Sequence, residues 1–168
     1  MLSIAATQCR HHVEAVRSLT SALNDSHLAV APHPGGKTAG WLLGHLAVTG
    51  DYARKLCGRP AMCPVDWRPL FSPGSHPSNS TAAYPPMGAL RDAVIAVYSD
   101  LADAAPTLDD AARAAPNRFT AVAREFPTTG EFVAYLMTGH IAYHLGQLQA
   151  WRAACVSDST APHGAARR

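Results

Sequence analysis

Two histidines four residues apart, His140 and His144, sit in the apolar run near the end of this chain, within Gly139-His140-Ile141-Ala142-Tyr143-His144-Leu145-Gly146-Gln147. At about 100° per residue of α-helix they share one face with Val133, Leu136, Met137, Gln147, Leu148 and Trp151, while Glu131, Thr138 and Gln149 lie opposite. The two imidazoles therefore point inward. Each buried ring presents a donor and an acceptor nitrogen, and with no carboxylate on the stripe a metal ion satisfies both rings most economically. Hydrogen bonds to main chain or hydroxyls would serve two ordinary core histidines instead, and HxxxH alone leaves both readings open.

His45 supplies a third inward histidine. Its stripe, on a second amphipathic segment, collects Trp41, Leu42, Val48, Thr49, Tyr52 and Leu56, whereas Asp51 and Arg54 fall away from it. Three histidines converging from two helices favour a metal site. Three neutral imidazoles leave a divalent cation with open positions for water or substrate, the arrangement of a catalytic site. A thiol entering there loses its proton and becomes a nucleophile, so thiol S-transfer to an electrophile is the leading expectation. Thr49, Tyr52, Tyr143 and Gln147 are candidates to orient the ligands or the substrate, although ordinary packing would also account for them. Metal-assisted hydrolysis is the enzymatic alternative, disfavoured by the lack of Glu or Asp on either stripe. A bundle that binds metal or a small ligand without catalysing a reaction is the other.

The elements that must position these residues read as four long helices. The first runs from Ser3 to about Asp25 on Ala5, Cys9, Val13, Val16, Leu19 and Leu23, with His11 and His12 on its flank and outside the site. Prolines and glycines at 32–36 end it, and the connection is short enough to predict that helices one and two are antiparallel neighbours. Helix two spans about Thr38 to Cys57. Gly58 to Pro86 is a proline-rich crossover pinned by Trp67, Phe71 and Tyr84, with His76 in solvent. Helix three covers Met87 to Ala104, with Leu90, Val94, Val97, Tyr98 and Leu101 inward. A short helix over Leu108 to Ala115 precedes a loop whose Phe119, Val122 and Phe126 cover one end of the bundle. Thr128 or Thr129 caps helix four, which reaches about Cys155. A small-residue stripe on it, Gly139, Ala142, Gly146, Ala150 and Ala153, permits close packing inside the bundle or across a homodimer. Residues 1–156 form one domain and 157–168 a polar tail.

With 168 residues, 48% apolar and a net charge of +2, the chain can bury a sizeable core, and its charge is too small and too dispersed to argue for nucleic acid. No apolar run suits a bilayer. Met1 to Arg10 lacks a secretory signal, which points to the cytoplasm, where Cys9, Cys57, Cys63 and Cys155, none in a CxxC pair, stay reduced.

Gly40-Trp41-Leu42-Leu43-Gly44-His45 in helix two and His140-x-x-x-His144-x-Gly146-Gln147-Leu148 in helix four resemble the DinB/YfiT superfamily over nearly the whole chain. The resemblance implies an all-α, up-down-down-up four-helix bundle with a long crossover between helices two and three. It also implies a divalent metal, commonly zinc or nickel, with His45, His140 and His144 as ligands. Members include metal-dependent transferases using bacillithiol, mycothiol or related small thiols, and many others have no established activity.

Overall fold

The computed structural model describes residues 1–156, so the expected tail, 157–168, lies outside the described residues. The chain is all-α: α1 (Leu2–Thr20), α2 (Ala39–Leu56), α3 (Trp67–Phe71), α4 (Met87–Ala104), α5 (Asp110–Ala114), α6 (Thr129–Tyr135) and α7 (Ile141–Cys155). Among the described residues the only β-type pairing is an isolated bridge between Pro116 and Thr128. No helix there is long and apolar enough to cross a membrane.

Helix α1 ends earlier than its periodicity predicts. Asn24 accepts a hydrogen bond from the Ser26 amide, while its own amide donates to the His27 ring, and this capping box starts a separate 3-10 turn, Asp25–His27. Leu23 keeps its place in the core from a turn rather than from the helix. The turn also serves α4, because the Asp25 carboxylate accepts the Met87 amide, which the helix itself leaves without a partner.

The expectation that helices one and two are neighbours is corrected. α1 and α2 each pack along α4 and along the last helix, but not along each other. The connection between them is long enough to cross the end of the bundle, burying Leu23 and Leu28 and offering the Val30 carbonyl to the Trp151 indole at 2.8 Å. α2 and α4 lie with like ends together. Thr38 and Tyr84 share a hydroxyl hydrogen bond of 2.9 Å at one end, and Arg54 donates to Asp100 at 2.7 Å near the other. Between them Gly50 allows the close approach, since a Cβ there would lie 2.6 Å from Val97 and 2.7 Å from Tyr98. α1 runs opposite to α4, with Arg10 on Asp103 at one end and Asp25 on Met87 at the other.

Asp51 and Arg54 do fall away from the His45 stripe, but not into solvent. They pair at 2.9 Å with side chains 5% and 4% exposed, facing α4 and the start of the crossover. A charged pair is buried here with no buried polar atom of either side chain left unpaired. Arg54 also binds the Pro60 carbonyl, and the Asp51 carboxylate accepts the Met62 and Cys63 amides.

The crossover is held where sequence places its anchors: Trp67 and Phe71 are buried, Tyr84 is half-buried and His76 is exposed. The short helix before the last one is α5, shorter than expected. Thr128 caps α6 with a full capping box to Glu131. The last helix is not regular. Between α6 and α7, Leu136–His140 forms a π-helical turn, so the main chain makes one wider turn at the histidine site. Thr138 donates to the Ala134 carbonyl at 2.7 Å within it, supplying a donor where the regular ladder is interrupted. Gly139, Ala142, Gly146, Ala150 and Ala153 are all exposed, with Gly139 and Ala142 lining an open groove beside α1.

Candidate metal centre

α2 brings in His45, the π turn His140 and α7 His144. One nitrogen from each lies within 4.8 Å of the others, a group that could hold a metal ion. Two of the three rings have their tautomer set by a second partner. The His45 Nδ1 donates to the Phe71 carbonyl at 2.7 Å, and the His144 Nδ1 donates to the Gln147 side-chain oxygen at 2.8 Å. Each leaves Nε2 as a lone pair, which is how a protein orients histidine toward a cation. Gln147 is itself held, since its amide nitrogen donates to the Tyr143 hydroxyl.

The His45 and His140 Nε2 atoms stand 3.3 Å apart. Two imidazole nitrogens bound at about 2.0–2.1 Å in tetrahedral geometry would stand about 3.3 Å apart as well. Spacing, donor chemistry and fixed tautomers all fit a divalent cation. His140 alone lacks a second partner, its Nδ1 being buried and unpaired.

Several of the surrounding contacts depend on the crossover. Phe71 closes onto α2 at Gly44, where a Cβ would meet its ring at 2.4 Å, and only this approach brings the Phe71 carbonyl to His45. Trp41, one turn before His45, stacks on the imidazole at 4.7 Å and 8°, donates to Ser75 at 2.9 Å, and carries Lys37 3.6 Å from its ring centre.

The sequence pattern of the DinB superfamily matches residues 8–148. The chain belongs to the DinB superfamily. This is a metal-binding superfamily, and the three histidines are the cluster in this member that suits it. No curated protein matches the chain.

Burial holds all three rings in the neutral form that a metal needs. It pushes His45 down to about 4 and His140 down to about 3, and it lowers His144; the charge of His144 adds to the shift at His45 and His140. In metal-free protein these shifts make stability pH-dependent. The unfolded chain takes up protons below about 6.5 that the folded site refuses, so stability is complete above that pH and lost as pH falls toward 4. His45 and His140 each contribute up to about 1.4 kcal/mol per pH unit in that window. Thermal melts of chelator-treated protein between pH 7 and 4.5 should show a falling midpoint, flattened in a His45→Gln, His140→Gln variant. A wild-type midpoint that stays level would contradict the neutral, buried site.

The histidine cluster borders a cavity of about 780 Å³ through two of its three rings. His45 and His140 line it, with Val48, Thr49 and Tyr52 from α2 and the aromatic rings of Phe119, Phe132 and Tyr135. Of the four candidate orienting residues, Gln147 binds His144 directly and Tyr143 acts through Gln147, with Tyr143 63% exposed. Thr49 and Tyr52 stand in the cavity wall. The Thr49 hydroxyl is spent on the His45 and Leu46 carbonyls, and Tyr52 packs beside Phe119 and Phe132.

Sequence reasoning missed the Phe71 carbonyl, Tyr135 and Cys63, all of which border the site. A main-chain carbonyl leaves no trace in residue type. The loop position of Cys63 carries no helical period that could have placed it in the cavity wall.

Replacing Gln147 with Leu removes the partner of His144 and leaves its ring free to turn. Metal affinity should fall about 10–100-fold with the fold unchanged. Competition with a chromophoric chelator measures this directly, and an unaltered affinity would mean that Gln147 does not orient the ring.

Proposed function

We propose that this DinB-superfamily protein is a metal-dependent thiol S-transferase that joins a low-molecular-weight thiol to an electrophilic small molecule. His45, His140 and His144 are the ligands in this reading, and zinc or nickel the ion. A divalent cation there supplies the positive charge that favours thiolate over thiol. The chain's own residues keep three imidazoles neutral, aim two of them through Phe71 and Gln147, and exclude water with an aromatic wall. The thiol proton leaves to solvent, the sulfur forms its bond to the electrophilic carbon, and the bond from that carbon to its leaving group breaks with the electron pair going to the leaving group, as chloride from a chloroarene, so no oxidant or reductant is needed.

The convergence of three histidine nitrogens, two of them from residues that line a cavity of small-molecule size, supports this reading. The protein's own thiols suit the role poorly. Burial raises Cys9 and Cys63 to about 12 and Cys57 to about 11, so Cys63 in the cavity wall remains a thiol. Hydrolysis would ask for a free base, and Asp51, the carboxylate among the described cavity residues, has both oxygens engaged by Arg54, Met62 and Cys63.

The pairwise helix contacts support an up-down-down-up bundle, with α1 and the last helix running one way and α2 and α4 the other. A cytoplasmic location and a homodimer across the exposed stripe of Gly139, Ala142 and Gly146 complete the reading.

Metal-loaded protein should be assayed with cysteine, glutathione, bacillithiol and mycothiol against 1-chloro-2,4-dinitrobenzene. Saturable turnover is expected with at least one thiol, lost in His144→Ala and retained in Cys63→Ser. No turnover with any of them, alongside ester hydrolysis that His144→Ala abolishes, would replace transfer with hydrolysis.

A further inference from the structure

From the geometry of the cavity we infer the class of its occupant: an elongated organic anion with an apolar, ring-sized body. This inference rests on the preceding reading only in taking that molecule to be the acceptor of the thiol.

The α2 face that begins at His45 continues through Val48, Thr49 and Tyr52 to Lys55, all lining the same space. At 1.5 Å per residue, His45 and Lys55 are about 15 Å apart along the helix axis, which sets the length of what can lie between them. The middle of that span is aromatic. Phe119 and Phe132 stack at 5.6 Å and 6°, Tyr52 leans on both, and Tyr135 meets His140 edge-on, leaving a flat-sided slot with few polar atoms for a ring or alkyl chain.

The cavity lining carries two cations. Lys55, in the last turn of α2, and Arg68, in α3, line the cavity with exposed side chains, and among the described residues neither makes an ion pair or a side-chain hydrogen bond. The one cavity carboxylate, Asp51, is neutralised by Arg54. Two unpartnered cations therefore line an apolar slot that His45 and His140 also line, with Lys55 at the far end of the α2 face from His45. A carboxylate, sulfonate or phosphate ester at one end of the ligand would meet Lys55 and Arg68, and its reacting carbon would lie near His45 and His140. A cationic ligand would meet like charge there, and a neutral one would leave both cations without a partner.

The probe is 6-phenylhexanoate, compared with its amide and with 6-phenylhexylamine by calorimetry, on metal-loaded and chelator-treated protein. The acid should bind about ten-fold more tightly than the amide in both forms, the sum of two partly solvated ion pairs. The amine should bind more weakly than either. Added salt should erode the acid's advantage, and Arg68→Gln with Lys55→Gln, both at exposed positions, should abolish it while amide binding stays. Ala121→Trp, which fills the slot, should block all three. Equal binding of acid and amide, tighter binding of the amine, or an acid preference that survives in the double variant overturns the inference. Binding to chelator-treated protein needs no metal and no turnover, so failure of the transferase reading would leave these results standing. A working transferase that ignores the anion would sink this inference alone.

Discussion

His140→Ala should leave the purified protein without its metal. The variant removes the nitrogen that stands 3.3 Å from the His45 Nε2, and two ligands remain where three converged. The loss in affinity should exceed the about 10–100-fold that removing a ligand's hydrogen-bond partner costs. Prepared without an affinity tag or added metal, wild-type protein should carry about one divalent ion per chain by mass spectrometry, and His140→Ala almost none. The fold should survive, because the core of α1, α2, α4 and the last helix is apolar and does not include the His140 ring. An ion present at 100 times its dissociation constant stabilises the native state by about 2.7 kcal/mol. Chelation should therefore lower the wild-type melting midpoint by about 5–11 °C, leave helical circular dichroism intact, and do nothing to His140→Ala. Full metal occupancy in that variant would remove His140 from the site.

How much of this was legible in the sequence depends on how local each cause is. The inward direction of His45, His140 and His144 follows from helical period alone, and the structure brings the three together. The bounds of α4 and the Thr128 cap are equally local, set by an apolar stripe and by a hydroxyl three residues before Glu131. Other features are not local. The π turn arises where the last helix must satisfy α1 on one side and the histidine site on another, and a 100° wheel carries no sign of it. The separation of α1 from α2 depends on where Leu28 and Val30 lodge after the chain leaves α1.

Asp51 and Arg54 mislead most. Charged residues off an apolar stripe read as solvated, yet here the opposite face of α2 is covered by α4 and by the start of the crossover. Helix α2 is buried nearly all round, and its histidine face is only one of the surfaces it presents. The same close approach that hides Arg54 lets Gly44 and Gly50 matter. Both are glycines because Phe71 and Tyr98 occupy the space a side chain would need.

Arg54→Met should be the most destabilising single substitution outside the apolar core. The guanidinium joins Asp51 at 2.9 Å, Asp100 at 2.7 Å and the Pro60 carbonyl at 3.0 Å while almost fully buried. Methionine fills comparable space but leaves the Asp51 carboxylate, 5% exposed, without its countercharge. Breaking one side of such a buried pair costs about 3–5 kcal/mol, because the remaining charge has been taken out of water and is no longer compensated. For a domain of this size that is a drop of about 6–20 °C in melting midpoint. Metal-free protein at pH 7 is the right sample, since a bound ion would mask part of the loss. Asp51→Asn combined with Arg54→Met should recover part of the stability, as the amide can still accept a main-chain hydrogen bond without carrying a buried charge. The effect should also reach the cavity. Asp51 holds the Met62 and Cys63 amides, and Cys63 forms part of the cavity wall, so Arg54→Met should weaken 6-phenylhexanoate and its amide alike, unlike the charge-selective loss expected at Arg68. A melting midpoint within about 1 °C of wild type would show that the Asp51–Arg54–Asp100 cluster is hydrated well enough to dispense with its cation.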